Sequence, residues 1–211
     1  MRIFSAVNLG VAAFYWPRRF FGLGKERKVE SVSFIQEIKL NPVGVVRSQV
    51  KEPVLFSHRE GLEMQGALEA FWRKVREINQ MTSEIIIHPA SSGLLNGVED
   101  FSHLLVLYWA HKTTSAGRAL KQVHPMGRKD LPIKGVFATC SPARPNPMLL
   151  TVVKLLERRG NVLKVIGLDA IDQSPVLDIK PYVKEFYPHD EVLTPAWMQE
   201  LMEEAKTMTG K

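Results

Sequence analysis

The sequence predicts a mainly β, mostly antiparallel body flanked by helices and built outside the Rossmann type. Two observations lead there. Short segments rich in Val, Ile, Leu and aromatic residues follow one another through the second half of the chain, each too brief for an ordinary helix. The regular βαβ alternation of a doubly wound sheet is missing, as are G-x-G-x-x-G and G-x-x-x-x-G-K-[ST], the loops that cradle phosphates in nucleotide-binding folds.

Taken in order, residues 40–47 (LNPVGVVR) are β-branched and read as an opening strand. Between 60 and 81, Leu68, Phe71, Trp72, Val75 and Ile78 recur at three- and four-residue steps, which lines them along one helical face for core packing. Strands are expected over 85–88, 103–109, 135–139, 150–156 and 162–168. The last two are joined by Glu-Arg-Arg-Gly-Asn, in which Gly160 and Asn161 tolerate positive φ, so they should pair antiparallel. Thr194 and Pro195 supply an N-cap and a first-turn residue for a closing helix through Met198, Leu201, Met202 and Ala205. The organisation expected is an N-terminal extension over 1–36, one β domain over 37–190 and a C-terminal helix over 191–211.

Cys140 is the only cysteine, so one molecule can build neither an intrachain disulfide nor a cysteine zinc cluster, and a reducing, cytoplasmic setting is expected. The longest uncharged stretch, 3–17, is too short to span a bilayer as a helix. Arg18 and Arg19 follow it at once without a clear cleavage site, so it reads as an apolar arm rather than a signal peptide, and no membrane partner is expected. The six histidines form no compact ligand pattern such as H-E-x-x-H, and no metal is expected.

The net charge of +6 is unevenly spread: residues 1–30 account for +4 of it. Within the body, 112–134 concentrates Lys112, Arg118, Lys121, Arg128, Lys129 and Lys134 against Asp130 alone. A basic loop on a near-neutral body suits a grip on nucleic-acid phosphates, and a solvated loop is the plainer alternative.

Three polar clusters interrupt the apolar segments. In 135–150 (GVFATCSPARPNPMLL), Pro142, Pro145 and Pro147 stiffen a loop that presents Arg144 and Asn146, a guanidinium and an amide suited to a carboxylate, a phosphate or a base edge. In 167–182 (GLDAIDQSPVLDIKPY), Asp169, Asp172 and Asp178 crowd together before Lys180 and Tyr182. Turn formation by Asp172 and an Asp178–Lys180 ion pair are the plain readings there. In 97–112 (GVEDFSHLLVLYWAHK), Asp100, Ser102 and His103 precede an apolar strand and His111 follows it.

At these three clusters the chain resembles the TrmO (TsaA-like, YaeB-like) family. Its pattern includes L-x-G-[IL]-E-x-F-S-H, G-V-F-A-T-R-S-P-x-R-P-N-P-[IV]-G-L-[ST] and G-L-D-[LA]-[LI]-D-G-[ST]-P-V-L-D-I-K-P-Y, and the match runs over about 42–188. The resemblance implies a buckled β-barrel-like fold, working as a homodimer, that binds S-adenosylmethionine. It also implies methyl transfer to the exocyclic amine of threonylcarbamoyl-adenosine beside the anticodon of tRNA. Carried over, the cofactor site would draw on His111, Lys112, Cys140, Arg144, Leu150, Asp169, Ile171, Asp172, Gln173 and Ser174.

A carboxylate near the amine, Asp169, Asp172 or Asp178, would orient it or take its proton, and Asn146 would share the pocket wall. The anticodon stem-loop would be held by Lys112, Arg118, Lys121, Arg128, Lys129 and Lys180, with Tyr182, Tyr108 or Trp109 stacking a base. Cys140 stands where the family phrase has Arg, Met148 and Leu149 replace an Ile-Gly or Val-Gly pair, and no P-R-Q tripeptide is recognisable within 52–65. A small-molecule methyltransferase of the same fold, or a non-catalytic module that senses the cofactor, are the alternative readings.

Overall fold

Side chains alternate across a strand, so a period of two in buried positions sends one face of each strand inward. The chain is described by a computed structural model over residues 37–209; the reading of 1–36 as an extension lies outside the described residues. In chain order the elements are β1 (Gly44–Arg47), β2 (Leu55–His58), β3 (Gly61–Met64), α1 (Leu68–Gln80), β4 (Thr82–Ile87), β5 (His103–Trp109), α2 (Ser115–Arg118), β6 (Gln122–Val123), β7 (Lys134–Gly135), β8 (Met148–Arg159), β9 (Val162–Ile166), β10 (Pro175–Pro181) and α3 (Ala196–Thr209).

Six strands close a barrel in the order β1-β10-β5-β8-β9-β4, every pair antiparallel. The alternation delivers the core: Ile85 and Ile87 from β4, Leu104, Val106 and Tyr108 from β5, Val153 from β8 and Leu163 and Val165 from β9 are buried around one centre with Val46, Leu168, Ala170 and Val176. Each Val, Leu or Ile among them contributes about 1.5–3 kcal/mol by leaving water. Closure removes the exposed strand edges that an open sheet would have to protect.

The helix stripe folds as its spacing requires, with Phe71 and Ile78 buried and the Phe71 and Trp72 rings edge to face at 5.3 Å. The helix begins only at Leu68, because the residues before it form the β2–β3 hairpin. The strand expected over 135–139 is a correction: β7 ends at Gly135 and a 3-10 turn follows at Val136–Ala138. Its carbonyls are met by Arg144 rather than by a neighbouring strand. β10 went unpredicted, since Asp178 and Lys180 break its apolar pattern and a bulge lies between Val176 and Asp178.

The barrel, α1 and α3 belong to one unit, Asn41–Tyr182 with Val192–Lys211. Of the other unit the described residues include 37–40 and 183–191, the latter with a 3-10 turn at Lys184–Phe186. No helix among the described residues is long and apolar enough to cross a membrane.

One acidic side chain ties α3 to α1. Glu204 accepts from Trp72 Nε1 at 3.2 Å and from Arg128 Nη1 at 2.6 and 2.7 Å, and Arg128 also donates to Asp130 at 2.6 Å. Glu204→Leu is expected to cost about 1–3 kcal/mol, since it leaves an indole N–H without its acceptor and a half-buried guanidinium with Asp130 as its one remaining carboxylate. Differential scanning fluorimetry should register a fall of about 2–4 °C per kcal/mol in a chain of this size.

Candidate functional site

A cavity of about 700 Å³ opens at one end of the barrel, walled by α1 (Phe71, Val75, Ile78), the hairpin strand β2, the segment after β5 (Ala110, Lys112), the proline-braced loop (Thr139, Cys140, Arg144), β8 (Met148 to Thr151) and the acidic turn (Asp169, Ile171, Ser174). Its size suits a small-molecule ligand, and its wall is mostly apolar with a few charged groups.

The charged groups are arranged by named bonds. Lys112 Nζ donates to Glu52 Oε1 and to the Lys51 carbonyl, each at 2.6 Å, so a cation and an anion stand side by side on the wall. Asp169 Oδ1 accepts two hydroxyls, Tyr108 Oη and Thr151 Oγ1, each at 2.6 Å. Tyr108 is only 2% exposed. Burial, then the adjacent Asp169 carboxylate, holds its phenol far above the usual tyrosine range, so it stays a proton donor.

Asp172 faces away from this arrangement. Its Oδ2 accepts from Lys51 Nζ at 2.7 Å and its Oδ1 from Ser48 N at 2.9 Å, and these, Lys51 first, lower its pKa to about 2. The backbone N–H groups of Asp172 and Gln173 donate to Val50 and Val46 carbonyls at 2.7 and 2.8 Å, stitching the turn to β1 and the segment after it. Gln173 pays for that path with φ +65°, in the region that favours glycine, where the family phrase has Gly.

His111 lies behind the wall, its Nδ1 3.3 Å from Ser174 Oγ, a side chain that is buried and lines the cavity. Burial, then the Lys112 charge, lowers the imidazole pKa below its ordinary value. The neutral ring is thereby favoured at neutral pH.

Arg144 is turned onto its own loop. Nε donates to Ser141 O at 2.7 Å and Nη2 to Thr139 O at 2.6 Å, with a longer contact to Val136 O at 3.5 Å. One guanidinium therefore gathers three carbonyls and sets where Thr139 and Cys140 meet the cavity.

The family model for the tRNA-methyltransferase O N-terminal domain matches residues 56–187. A probable S-adenosyl-L-methionine-binding protein of Methanothermobacter thermautotrophicus is 43% identical over 149 residues, 71% of this chain and 93% of that protein. The chain belongs to the TrmO family. The human tRNA (adenine(37)-N6)-methyltransferase is 34% identical over 73% of this chain, which spans 32% of that protein. A crystal structure of TrmO from P. aeruginosa shares the fold at a TM-score of 0.54 and 24% identity, covering 77% of this chain and 62% of that one. The chain thus spans less than two thirds of that solved relative and about a third of the human one.

Of the residues carried over from TrmO, the cavity wall gathers Lys112, Cys140, Arg144, Leu150, Asp169, Ile171 and Ser174. His111, Asp172 and Gln173 lie next to wall residues. Asn146 is exposed on the loop, and Asp178 pairs with Lys180 at 2.6 Å. Of the basic candidates, Arg128 is bonded to Asp130 and Glu204 and Arg118 lies 5.4 Å from the centre of the Trp109 ring, while Lys121 and Lys129 are exposed. Tyr182 is half-buried, its N–H bonded to His103 O at 3.0 Å. Tyr108 is too deeply buried to stack a base.

Sequence reasoning missed Glu52, Thr151 and Phe137. The first two sit in segments with no polar motif to mark them. Phe137, in the very phrase that carried the resemblance, was read as a strand residue and is 83% exposed two positions before the cavity wall.

Proposed function

We propose that the protein is an S-adenosylmethionine-dependent methyltransferase that modifies the exocyclic amine of threonylcarbamoyl-adenosine beside the anticodon of tRNA. The observation that carries this reading is one cavity that joins an apolar wall, an adjacent cation–anion pair and a second, separately held carboxylate. The printed names of the relatives, cofactor-binding proteins and tRNA methyltransferases, support the same reading.

The residues suit the cofactor group by group. Phe71, Val75 and Ile78 offer apolar area to a purine, and Lys112 with Glu52 matches the carboxylate and ammonium of an amino-acid end. When bound, S-adenosylmethionine would supply a methyl group on a positively charged sulfur, a nitrogen–carbon bond forming as the carbon–sulfur bond breaks to leave the neutral thioether, with the proton of the alkylated nitrogen passing to solvent water. The chain's own task is alignment, which can lower such a barrier by several kcal/mol, roughly 7–11 at best. Asp169 is the carboxylate best situated for the site, since Asp172 is engaged by Ser48 and Lys51 and Asp178 by Lys180. Asn146, exposed on the braced loop, is left to meet the substrate.

The RNA would lie along the basic loop. Lys121 and Lys129 are the side chains there best suited to phosphates, with Arg118 over Trp109 beside them. Phe137 is exposed in the turn after β7, three residues from Lys134, and its neighbour Val136 donates to the Lys121 carbonyl at 3.0 Å, so an exposed aromatic residue lies on backbone adjacent to two basic residues. A second copy would cover the outward side of β8, where Met148, Leu150, Val152 and Leu156 are exposed apolar residues on one face, interrupted by Lys154. Met148 and Leu150 also line the cavity, which supports a homodimer whose interface borders the site.

The test is incorporation of radiolabelled methyl into tRNA from cells lacking the endogenous activity. Incorporation dependent on the threonylcarbamoyl group supports the full reading. Cofactor binding without incorporation favours a sensor, and cofactor binding without salt-sensitive tRNA affinity favours a small-molecule acceptor. In the same binding assay Phe137→Ala is expected to weaken tRNA affinity by about 1–3 kcal/mol, the worth of one stacked base. An unchanged affinity would remove Phe137 from the interface.

A further inference from the structure

We infer that Asp169, held by the Tyr108 and Thr151 hydroxyls, is the counter-charge for the positive sulfur of the cofactor, and that Tyr108 and Thr151 act as its positioning residues. The inference rests on the cofactor reading above and goes further by assigning one charge of the ligand to one atom group of the chain.

The cavity wall carries two carboxylates, Glu52 and Asp169. Glu52 has a cationic partner, Lys112 at 2.6 Å. Asp169 has none among the described residues; its bonds come from two neutral hydroxyls, both on Oδ1. A neutral donor does not cancel a carboxylate's charge, and two donors on one oxygen fix the plane of the carboxylate while Oδ2 has no bond among the described residues. Tyr108 has no freedom to do otherwise, since its ring is part of the barrel core and its hydroxyl emerges beside Thr151 at 3.3 Å.

A ligand that enters and displaces water from an uncompensated anion must bring positive charge or strong donors. S-adenosylmethionine carries three charges near one another. The Lys112–Glu52 pair answers its carboxylate and ammonium, Arg144 is spent on the carbonyls of its own loop, and the remaining positive centre is the sulfur. The remaining unpartnered anion is Asp169.

The experiment is calorimetric titration of the full chain with S-adenosylmethionine and with S-adenosylhomocysteine, which keeps every group except the methyl and the positive charge. Asp169→Asn, nearly isosteric and still able to accept both hydroxyls, is expected to weaken the charged ligand on the order of tenfold or more and the neutral one by less than about threefold. Thr151→Val and Tyr108→Phe should shift the ratio of the two affinities in the same direction by smaller factors, with circular dichroism checking each fold. Equal losses for both ligands would overturn the inference and assign Asp169 to a neutral group such as a hydroxyl, and no loss would remove it from the site. If the unaltered protein binds neither ligand, the cofactor reading itself fails and this inference with it.

Discussion

Replacing Gly44 with alanine is expected to destabilise the barrel by about 3 kcal/mol, the upper end of what overpacking costs. Gly44 sits where β1 passes between β4 and β10, paired with Ile87 on one side and Val176 on the other. A Cβ there would meet Ile86 O at 2.5 Å and Ile87 Cα at 3.0 Å, and backbone cannot rotate away as a side chain can. Relief requires the β1–β4 ladder to part at the strand that closes the barrel. Urea denaturation should show a lower midpoint with an unchanged slope, whereas Gly93→Ala, whose Cβ would meet nothing within 4 Å, should leave both alone. Equal stability of the two variants would mean that the closure is more compliant than its geometry implies.

Arg144→Ala should abolish most turnover, by a factor on the order of a hundred, because small displacements of positioning groups cost that much in rate. The loss would come through the loop: the side chain bonds Ser141 and Thr139 carbonyls and reaches Val136, and without it Thr139 and Cys140 lose the brace that sets them at the cavity. Global stability should fall far less, since a loop can open without the barrel. Arg144→Lys should not restore activity, as an ammonium is a point donor and cannot span carbonyls as the planar fork does. Asn146→Ala offers the contrast, with lower turnover and no change in melting temperature. Full turnover in Arg144→Ala would show that the prolines alone suffice.

The β5 strand and the β8–β9 hairpin were legible because their signals are local: a short, continuous apolar run ending at Trp109, and Gly160 with φ +59° in the turn. The fold class followed from the same signals. β10 was not legible, since its charges belong to an ion pair just past a bulge, and only pairing with β5 and β1 makes it a strand. At the site, sequence marked Asp169, Asp172 and Asp178 alike. What separates them is long-range: Ser48 and Lys51, more than a hundred residues earlier in the chain, engage Asp172, while Tyr108 and Thr151 bring Asp169 to the cavity. Arg144 was legible as rigidly held but not as the agent of that rigidity, because its acceptors are carbonyls, which every residue possesses.

The Glu204 clasp has a practical meaning for anyone handling the protein. Phe71, Val75 and Ile78 form a wall of the ligand cavity, and the helix that carries them is backed by α3 through Trp72 and Glu204. Trimming the chain ahead of Ala196, as one would to obtain a minimal crystallisable core, would deprive the ligand-facing helix of its support.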